Sequence, residues 1–453
     1  MTYKYIDLVM IRNFIDMPLC ILQYICDAYL SPIDTIYLSQ MNKKCSRIKI
    51  KRLHDIPNKF RDNLTNDILN KYEYLEELNI SDNPNVINIK HVIHLKKLDM
   101  SRYCQALHCL NNNFINLVDL NIKDNAVKID LNHLINLRKL DISGYCCVDD
   151  NDIEHLVNLE ELIIQENTKI NTVYKFTNLK KLDISGYYNK IRSIDTLTNL
   201  EELYISNNKH IFDINCLVKL KKLFAESGCK VSNDGIKKLI NLKELYAQSN
   251  NKLSNFTHLI NLKILCASDM SETNIAKLTN LEDLQTHAFR KHNINDNNIQ
   301  YLTKLKKLHI GSYVSEQKII NSHSSLSLAH ITNKGIKNMI NVEELDVSGN
   351  QKITNINHMR KLKILDARGN SCGITQKYIT NLTNLTKLDI SYNVKISNVN
   401  TFVKLKHLIV SGNNKINIHS VKKLTNLETL DISKCDNINT NILNDLKNLK
   451  IIK

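Results

Sequence analysis

The sequence predicts an α/β solenoid, a stack of short coils in which each coil adds one strand to a parallel sheet. Three observations predict it. The segment LEELNISDN beginning at Leu75 returns as NLVDLNIKDN around Leu117, NLEELIIQEN around Leu159, NLEELYISNN around Leu200, NVEELDVSGN at Val342 and NLTKLDISYN around Leu385. The first apolar position of this LxxLxIxxN motif falls at Leu75, Leu95, Leu117, Leu137, Leu159, Leu179, Leu200, Leu220, Leu242, Leu262, Leu281, Leu305, Val342, Leu362, Leu385, Leu405, Leu427 and Leu449, which is the spacing of a repeat array. Finally, 453 residues exceed what one compact core usually holds, yet 10 Gly and 4 Pro leave little linker material, so a continuous array is favoured over separate domains.

Within a unit, Leu78 and Ile80 alternate as in a short strand with one buried face. The Asn at the ninth position, Asn83 and its equivalents, can hydrogen-bond backbone groups where the chain turns. A single coil cannot bury its own apolar face, so neighbouring coils must stabilise one another. Motif and period together resemble the leucine-rich-repeat family over residues 75–453. The resemblance implies a curved solenoid with its parallel sheet on the concave face, and a protein partner bound there.

Steps between successive units alternate 20, 22, 20, 22 and 20 from Leu75 to Leu179, so the true unit is a pair of coils. The alternation persists at the third motif position, which should face out from the sheet: Glu77, Lys97, Asp119, Lys139, Glu161, Lys181, Glu202, Lys222 and Glu244. With parallel strands about 4.8 Å apart, this row reads as a ladder of cross-strand ion pairs that favours correct stacking. The alternative is a row that docks a charged ligand. A net charge of +15 could point to nucleic acid or an acidic partner, but charges that neutralise each other attract phosphate poorly, which disfavours nucleic acid.

The fifth motif position should also face outward, and its usual Asp or Asn gives way to Tyr204, Phe224 and Tyr246 in successive coils. Aromatic side chains on a rigid sheet are what interface hot spots are made of. Tyr204, Phe224 and Tyr246, with Glu226, Gln248, His287 and His309, are therefore the candidate partner-binding patch. The alternative is that the aromatics merely stack on one another. The step from Leu305 to Val342 is 37 residues, so an insert at about residues 311–331 must leave the solenoid, either as a loop beside the patch or as one decayed repeat.

No catalytic constellation emerges. HExxH, GxSxG and a Gly-rich phosphate loop are absent, and His91 with His94 lack a third ligand, so no metal, cofactor or enzymatic activity is expected. The 12 cysteines contain no CxxC and read as buried thiols of a reducing compartment. The stretch from Ile6 to Leu30 is broken by Asp7, Arg12, Asp16, Pro18 and Asp27, which fits neither a secretory signal nor a membrane span. The expectation is a cytoplasmic protein that is not secreted.

Residues 1–52 do not follow the repeat, and 53–74 read as a linker or a degenerate first repeat. Apolar spacing before residue 52 suggests short helices, with Ile21, Leu22 and Ile25 on one stripe and Asp34 capping the second. The stretch DMPLCILQYICDAYLSPIDTIYLSQMNKKCSRIKIK resembles an F-box, Met17-Pro18 standing for its Leu-Pro start. That resemblance implies binding to the adaptor subunit of a cullin ubiquitin ligase, with Pro18, Ile21, Leu22, Ile25, Leu30 and Leu38 as adaptor-facing or core residues. The alternative is a helical cap that shields the first coil. The Asn-, Ile- and Lys-heavy composition with this pairing also resembles proteins of large DNA viruses that infect amoebae, which implies a host cytoplasm. The expected function is a substrate receptor of a cullin ligase. Its rivals are an interaction scaffold without ubiquitin connection and a nucleic-acid binder.

Overall fold

The computed structural model describes residues 17–41, 43–110, 112–286, 293–311, 331–435, 440–446 and 449–452. The chain divides into two compact units, Met1–Tyr204 and Ile205–Lys453. In the N-terminal unit β1 (Arg52–Leu53), β2 (Glu77–Asn79), β3 (Lys97–Asp99), β4 (Asp119–Asn121), β5 (Lys139–Asp141), β6 (Glu161–Ile163), β7 (Lys181–Asp183) and β8 (Glu202–Tyr204) pair in parallel, in sequence order. In the C-terminal unit the same holds for β9 (Lys222–Phe224), β10 (Glu244–Ala247), β11 (Ile264–Ala267), β12 (Asp283–Thr286), β13 (Lys307–His309), β14 (Glu344–Asp346), β15 (Ile364–Asp366), β16 (Lys387–Asp389), β17 (His407–Ile409), β18 (Thr429–Asp431) and β19 (Lys450–Ile452). Like motif positions face each other, as in Leu78 opposite Leu98 and Leu365 opposite Leu388. Each unit is thus a leucine-rich-repeat solenoid.

Burial follows the motif. Leu75, Leu78 and Ile80 are fully buried, and so are Leu159, Leu162 and Ile164 two coil pairs later. A buried Leu or Ile contributes about 1.5–3 kcal/mol, whereas ordering a residue costs about 1–2 kcal/mol of backbone entropy. Three such side chains cannot order a coil of some twenty residues alone, so stability resides in the stack.

Two asparagine positions fasten one coil to the next. Asn167, at the ninth position, is buried; its amide donates to the Ile142 carbonyl at 2.7 Å and its oxygen accepts from the Lys169 and Ile170 amides at 2.7 and 3.2 Å. Asn393 and Asn413 do the same in the C-terminal unit. The Asn just before the first motif Leu reaches back as well: Asn178 to the Val157 carbonyl (3.0 Å), Asn261 to Ile240 (2.9 Å) and Asn426 to Val403 (2.8 Å). Each satisfies backbone groups that the sharply turning chain cannot pair in a ladder.

The ladder starts at β1, one coil ahead of Leu75, with Leu53 buried opposite Leu78 at the start of the stretch read as a linker or a degenerate first repeat. One feature departs from the sequence reading. The second N-terminal helix is capped by Ser31 rather than Asp34. In that helix, α2 (Pro32–Ser39), Ser31 Oγ accepts the Asp34 amide at 3.2 Å and donates to the Asp34 carboxylate at 2.6 Å. Asp34 therefore sits inside the first turn, where a carboxylate complements the helix dipole.

The first helix, α1 (Leu19–Tyr29), is fixed to the segment that leads into β1. Gln23 exchanges hydrogen bonds with the Lys49 backbone at 2.8 and 3.1 Å, Lys51 pairs with Asp27 at 2.8 Å, and Arg52 donates to the Cys26 and Leu30 carbonyls at 2.7 and 2.9 Å. Those carbonyls end α1 and lack partners within the helix, so Arg52 closes the helix and opens the ladder at once. Leu22, Cys26, Leu38, Cys45 and Ile48 form the core of this small module.

Candidate protein-binding face

Third- and fifth-position side chains lie on the side of each strand opposite the Leu and Ile core. The third-position charges pair across strands where geometry permits: Lys139 and Lys181 reach Glu161 at 3.3 and 2.5 Å, Lys222 reaches Glu244 at 3.0 Å, and Lys307 reaches Glu344 at 3.2 Å. Burial raises the Glu161 pKa, but the two lysines outweigh it and hold the carboxyl below its ordinary range. A second ladder runs one residue earlier: Lys96 to Glu76 (2.7 Å), Lys180 to Glu160 (2.7 Å), Lys306 to Glu282 (2.6 Å) and Lys363 to Glu343 (2.6 Å). Its signal in the sequence is a partial alternation of sign at the second motif position, as in Glu76 and Lys96 or Glu160 and Lys180, broken by Val118 and by Lys243 beside Lys263. Many lysines behind the net charge are therefore already paired.

The fifth position has a structural role of its own. Among the described residues, nine strands end in Asp or Asn: Asn79, Asp99, Asn121, Asp141, Asp183, Asp346, Asp366, Asp389 and Asp431. In all nine the side-chain oxygen accepts the amide two residues on, at 2.8–3.2 Å. This turn captures the next free donor and ends the strand, which in each case has three residues. β8 in the N-terminal unit ends instead in Tyr204, and β9 to β13 in the C-terminal unit end their fifth position with Phe224, Tyr246, Cys266, Gln285 and His309. β10, β11 and β12 run on to four residues, pairing Ala247 with Ala267 and Ala267 with Thr286, while β6, β8, β9, β13 and β17, which also lack an Asp or Asn at this position, have three.

Phe224 and Tyr246 stack with centroids 4.1 Å apart and planes 2° from parallel. Lys222 Nζ stands 5.3 Å from the Phe224 ring and 5.9 Å from that of Tyr246, while also pairing with Glu244. The rings are half-buried, and burial first, then the nearby Glu244, pushes the Tyr246 hydroxyl up to about 12. Gln248 donates to Cys266 Sγ at 2.6 Å, Cys266 reaches Gln285 Oε1 at 3.5 Å, and burial pushes that thiol up to about 12. Glu226 is half-buried, and burial raises its carboxyl. His309 Nε2 lies 3.1 Å from Glu344 Oε1.

The C-terminal unit thus brings Phe224, Tyr246, Gln248 and Cys266 together. Tyr204 belongs to the N-terminal unit, where its hydroxyl donates to Glu202 at 3.3 Å and Lys181 Nζ stands 5.8 Å from its ring. His287 lies outside the described residues, as do residues 312–330 of the expected insert. β13 and β14 pair directly across the insert, Lys307 opposite Glu344. The chain re-enters at buried Ile331, and the next residue, Thr332, donates twice to the Asp296 carboxylate at 2.7 Å.

In the N-terminal module the six motif-matched residues divide by exposure. Leu22 is buried in the core with Leu38, and Leu30 packs against it half-buried. Pro18 and Ile21 are exposed and Ile25 is half-buried. Tyr24, Tyr29, Tyr37 and Met41 are also exposed, with Tyr24 and Tyr29 in an edge contact at 6.1 Å.

Among the described residues, no group of three His, Cys, Asp or Glu is placed to hold a metal ion, and no helix is long and apolar enough to cross a membrane. The cysteines are free thiols; burial pushes Cys104, Cys146, Cys229 and Cys372 up to about 11, away from nucleophilic reactivity.

Comparison with known proteins gives structural likeness only. No protein-family profile matches the chain, and no curated protein matches it. A leucine-rich-repeat protein of Leptospira interrogans aligns at 18% identity over 84% of this chain and 96% of its own, with a TM-score of 0.48. An internalin of Listeria monocytogenes aligns at 19% identity over 84% of this chain and 88% of its own, with a TM-score of 0.37. The class is set by the chain's own motif and strand register: a leucine-rich-repeat solenoid with a small helical module at its N-terminus.

Proposed function

We propose that this chain is a non-catalytic protein-binding scaffold, that the strand face around Phe224 and Tyr246 captures a protein, and that the N-terminal module attaches it to the adaptor subunit of a cullin-type ubiquitin ligase. In that arrangement it is a substrate receptor. It makes and breaks no bond, and its contribution to ubiquitin transfer is proximity.

One observation carries the capture face: Asp and Asn close nine strands elsewhere, and successive strands of the C-terminal unit from β9 to β13 lack that closure. A hydrogen bond to a charged group is worth about 1.5–3 kcal/mol. Its repeated omission in one stretch, in favour of a ring pair and its polar neighbours, fits selection for contact rather than for stability. The ligase attachment is supported by the exposure of Pro18, Ile21 and Tyr24 at and along α1, and of Tyr37 and Met41 elsewhere in the module. A module that served only as a cap would be expected to turn such side chains inward.

A plain scaffold is favoured by a different observation, the tie between Gln23, Asp27 and Arg52, which is what a cap needs to hold the first coil. The two readings separate in affinity purification from eukaryotic cells with the full chain and its Ile21→Asp, Tyr24→Asp double variant. These substitutions spare Arg52, whose loss would disturb β1. Adaptor recovered with the parent chain and lost with the variant supports the receptor. Adaptor absent from both refutes the ligase half and leaves the scaffold.

A further inference from the structure

The twofold period of the N-terminal unit extends to the ninth motif position, where alternate coils carry Asn83, Tyr103, Asn125, Tyr145, Asn167 and Tyr187. The asparagines are buried, whereas Tyr103, Tyr145 and Tyr187 are 83%, 88% and 51% exposed. The coils remain in register up to the preceding residue. The Arg102 amide donates to the Lys123 carbonyl (2.6 Å), Asp124 to Ser143 (3.0 Å), Gly144 to Gln165 (2.8 Å) and Glu166 to Ser185 (3.0 Å). With strands about 4.8 Å apart, tyrosines two coils apart recur every 9.6 Å or so.

Acidic residues fill the gaps. Asp124 and Glu166 occupy the eighth position of the intervening coils, so the edge reads Tyr103, Asp124, Tyr145, Glu166, Tyr187. Glycine holds each carboxylate there. Gly144 and Gly186 have φ of 71° and 118°, and a Cβ on either would collide with the carboxylate of Asp124 or Glu166. Asp124 also accepts the Tyr145 amide at 3.2 Å. Glu166 is half-buried, and its Oε2 has no hydrogen-bond partner among the described residues.

We propose that this edge binds a basic, proline-rich segment of a partner protein in the polyproline II conformation. Such a segment advances about 3.1 Å per residue with three residues per turn, so its repeat of about 9.3 Å matches the tyrosine spacing to within about 1 Å over the whole row. An extended strand repeats every 6.7 Å or so on one face, and an α-helix about every 5.4 Å; neither keeps step with single tyrosines. Proline rings stack on the tyrosine faces, and the segment's unpaired carbonyls accept from the tyrosine hydroxyls. A Lys or Arg at every third residue meets Asp124 and Glu166 and lies beside the rings. This site is independent of both the Phe224 face and the α1 surface.

The test is fluorescence anisotropy of the full chain with a labelled peptide of three Pro-Pro-Arg repeats. Equally long Pro-Pro-Glu, Gly-Ser-Arg and helix-forming Lys-rich peptides serve as comparators. Saturable binding of the Pro-Pro-Arg peptide, at least about tenfold tighter than any comparator, is expected, since single interface anchors account for differences of that size. Tyr145→Ala should weaken it about tenfold and Glu166→Gln several-fold, with Tyr145→Phe retaining most of the affinity and all three variants melting like the parent. Equal binding of the Gly-Ser-Arg peptide would mean charge attraction alone and overturn the proposal. Tighter binding of the helical peptide, absence of saturable binding, or indifference to Tyr145→Ala would overturn it too.

Discussion

The two units are built from one motif and use it differently. In the N-terminal unit the third position alternates strictly from Glu77 to Glu202, and among the described residues five of the eight strands close on an Asp or Asn. In the C-terminal unit the charge alternation is interrupted by Ile264 and Ile364, five consecutive strands lack the closing oxygen, and then Asp346, Asp366 and Asp389 stand side by side on adjacent strands. Regularity is what stacking asks of a solenoid, so the departures are where something other than stacking has shaped the sequence.

The comparison breaks first at the positions both units share. Asn167→Ala leaves the Ile142 carbonyl and two amides without their buried partner and should cost about 3 kcal/mol; Asn393→Ala should cost as much. Hydrogen exchange followed by mass spectrometry should place each loss in its own unit, and equal protection throughout would show that the buried amide does not fasten the coils. Next in size, Phe224→Asp with Tyr246→Asp restores the strand-closing acceptor while removing the ring pair. Capture of the partner on this face should fall at least about tenfold, roughly 1.4 kcal/mol, with stability in urea little changed. Undiminished capture would assign the rings to stacking alone.

The acid row gives a third contrast. Burial first, then Asp346 and Asp389 on the flanking strands, pushes the Asp366 carboxyl up to about 7 against the pull of Arg368 at 2.8 Å. Because the folded pKa exceeds the unfolded value of about 3.9, its stabilisation is full below that value and is lost as pH rises through about 7. Asp366→Asn keeps the closing oxygen, and at pH 8 should stabilise the C-terminal unit by about 1 kcal/mol, flattening its stability between pH 5 and 8. Glu161 in the N-terminal unit has the opposite sign. Its lowered pKa means a contribution present above the unfolded value of about 4.3 and lost as pH falls through the folded one. Glu161→Gln should cost about 0.5 kcal/mol at neutral pH and little at pH 3. Chemical denaturation across pH reads both, and the same sign for both variants would dismiss the assignment.

Much of this was legible because the motif is a register: once Leu75, Leu78 and Ile80 are aligned with their successors, core, strand and pairing follow. The coil of β1 keeps Ile50, Leu53 and Asn58 at the first, fourth and ninth motif positions, but it puts Asp55 at the sixth and Ile56 one residue out of phase, which weakens its match to the repeat. The cap at Ser31 was hidden because Ser and Asp three residues apart both have the chemistry to cap, and only backbone geometry chooses. Exposure of Ile21 against burial of Leu22 depends on where α1 docks, which Gln23, Asp27 and Arg52 decide from residues that carry no apolar signal. The strand-closing role of the fifth position was written in the recurring Asp-Ile-Ser, yet a carboxylate on an outward face reads first as a surface charge.

The pin between Thr332 and Asp296 has a consequence for engineering. β13 and β14 pair directly and the chain returns to the stack at Ile331, so both flanks of the insertion point are anchored. The entropy of closing a loop grows only with the logarithm of its length, by about 0.6 kcal/mol per doubling. A fluorescent domain or epitope spliced between Gly311 and Ile331 should therefore be carried by the stack as cargo, with the ladder on either side unaware of it.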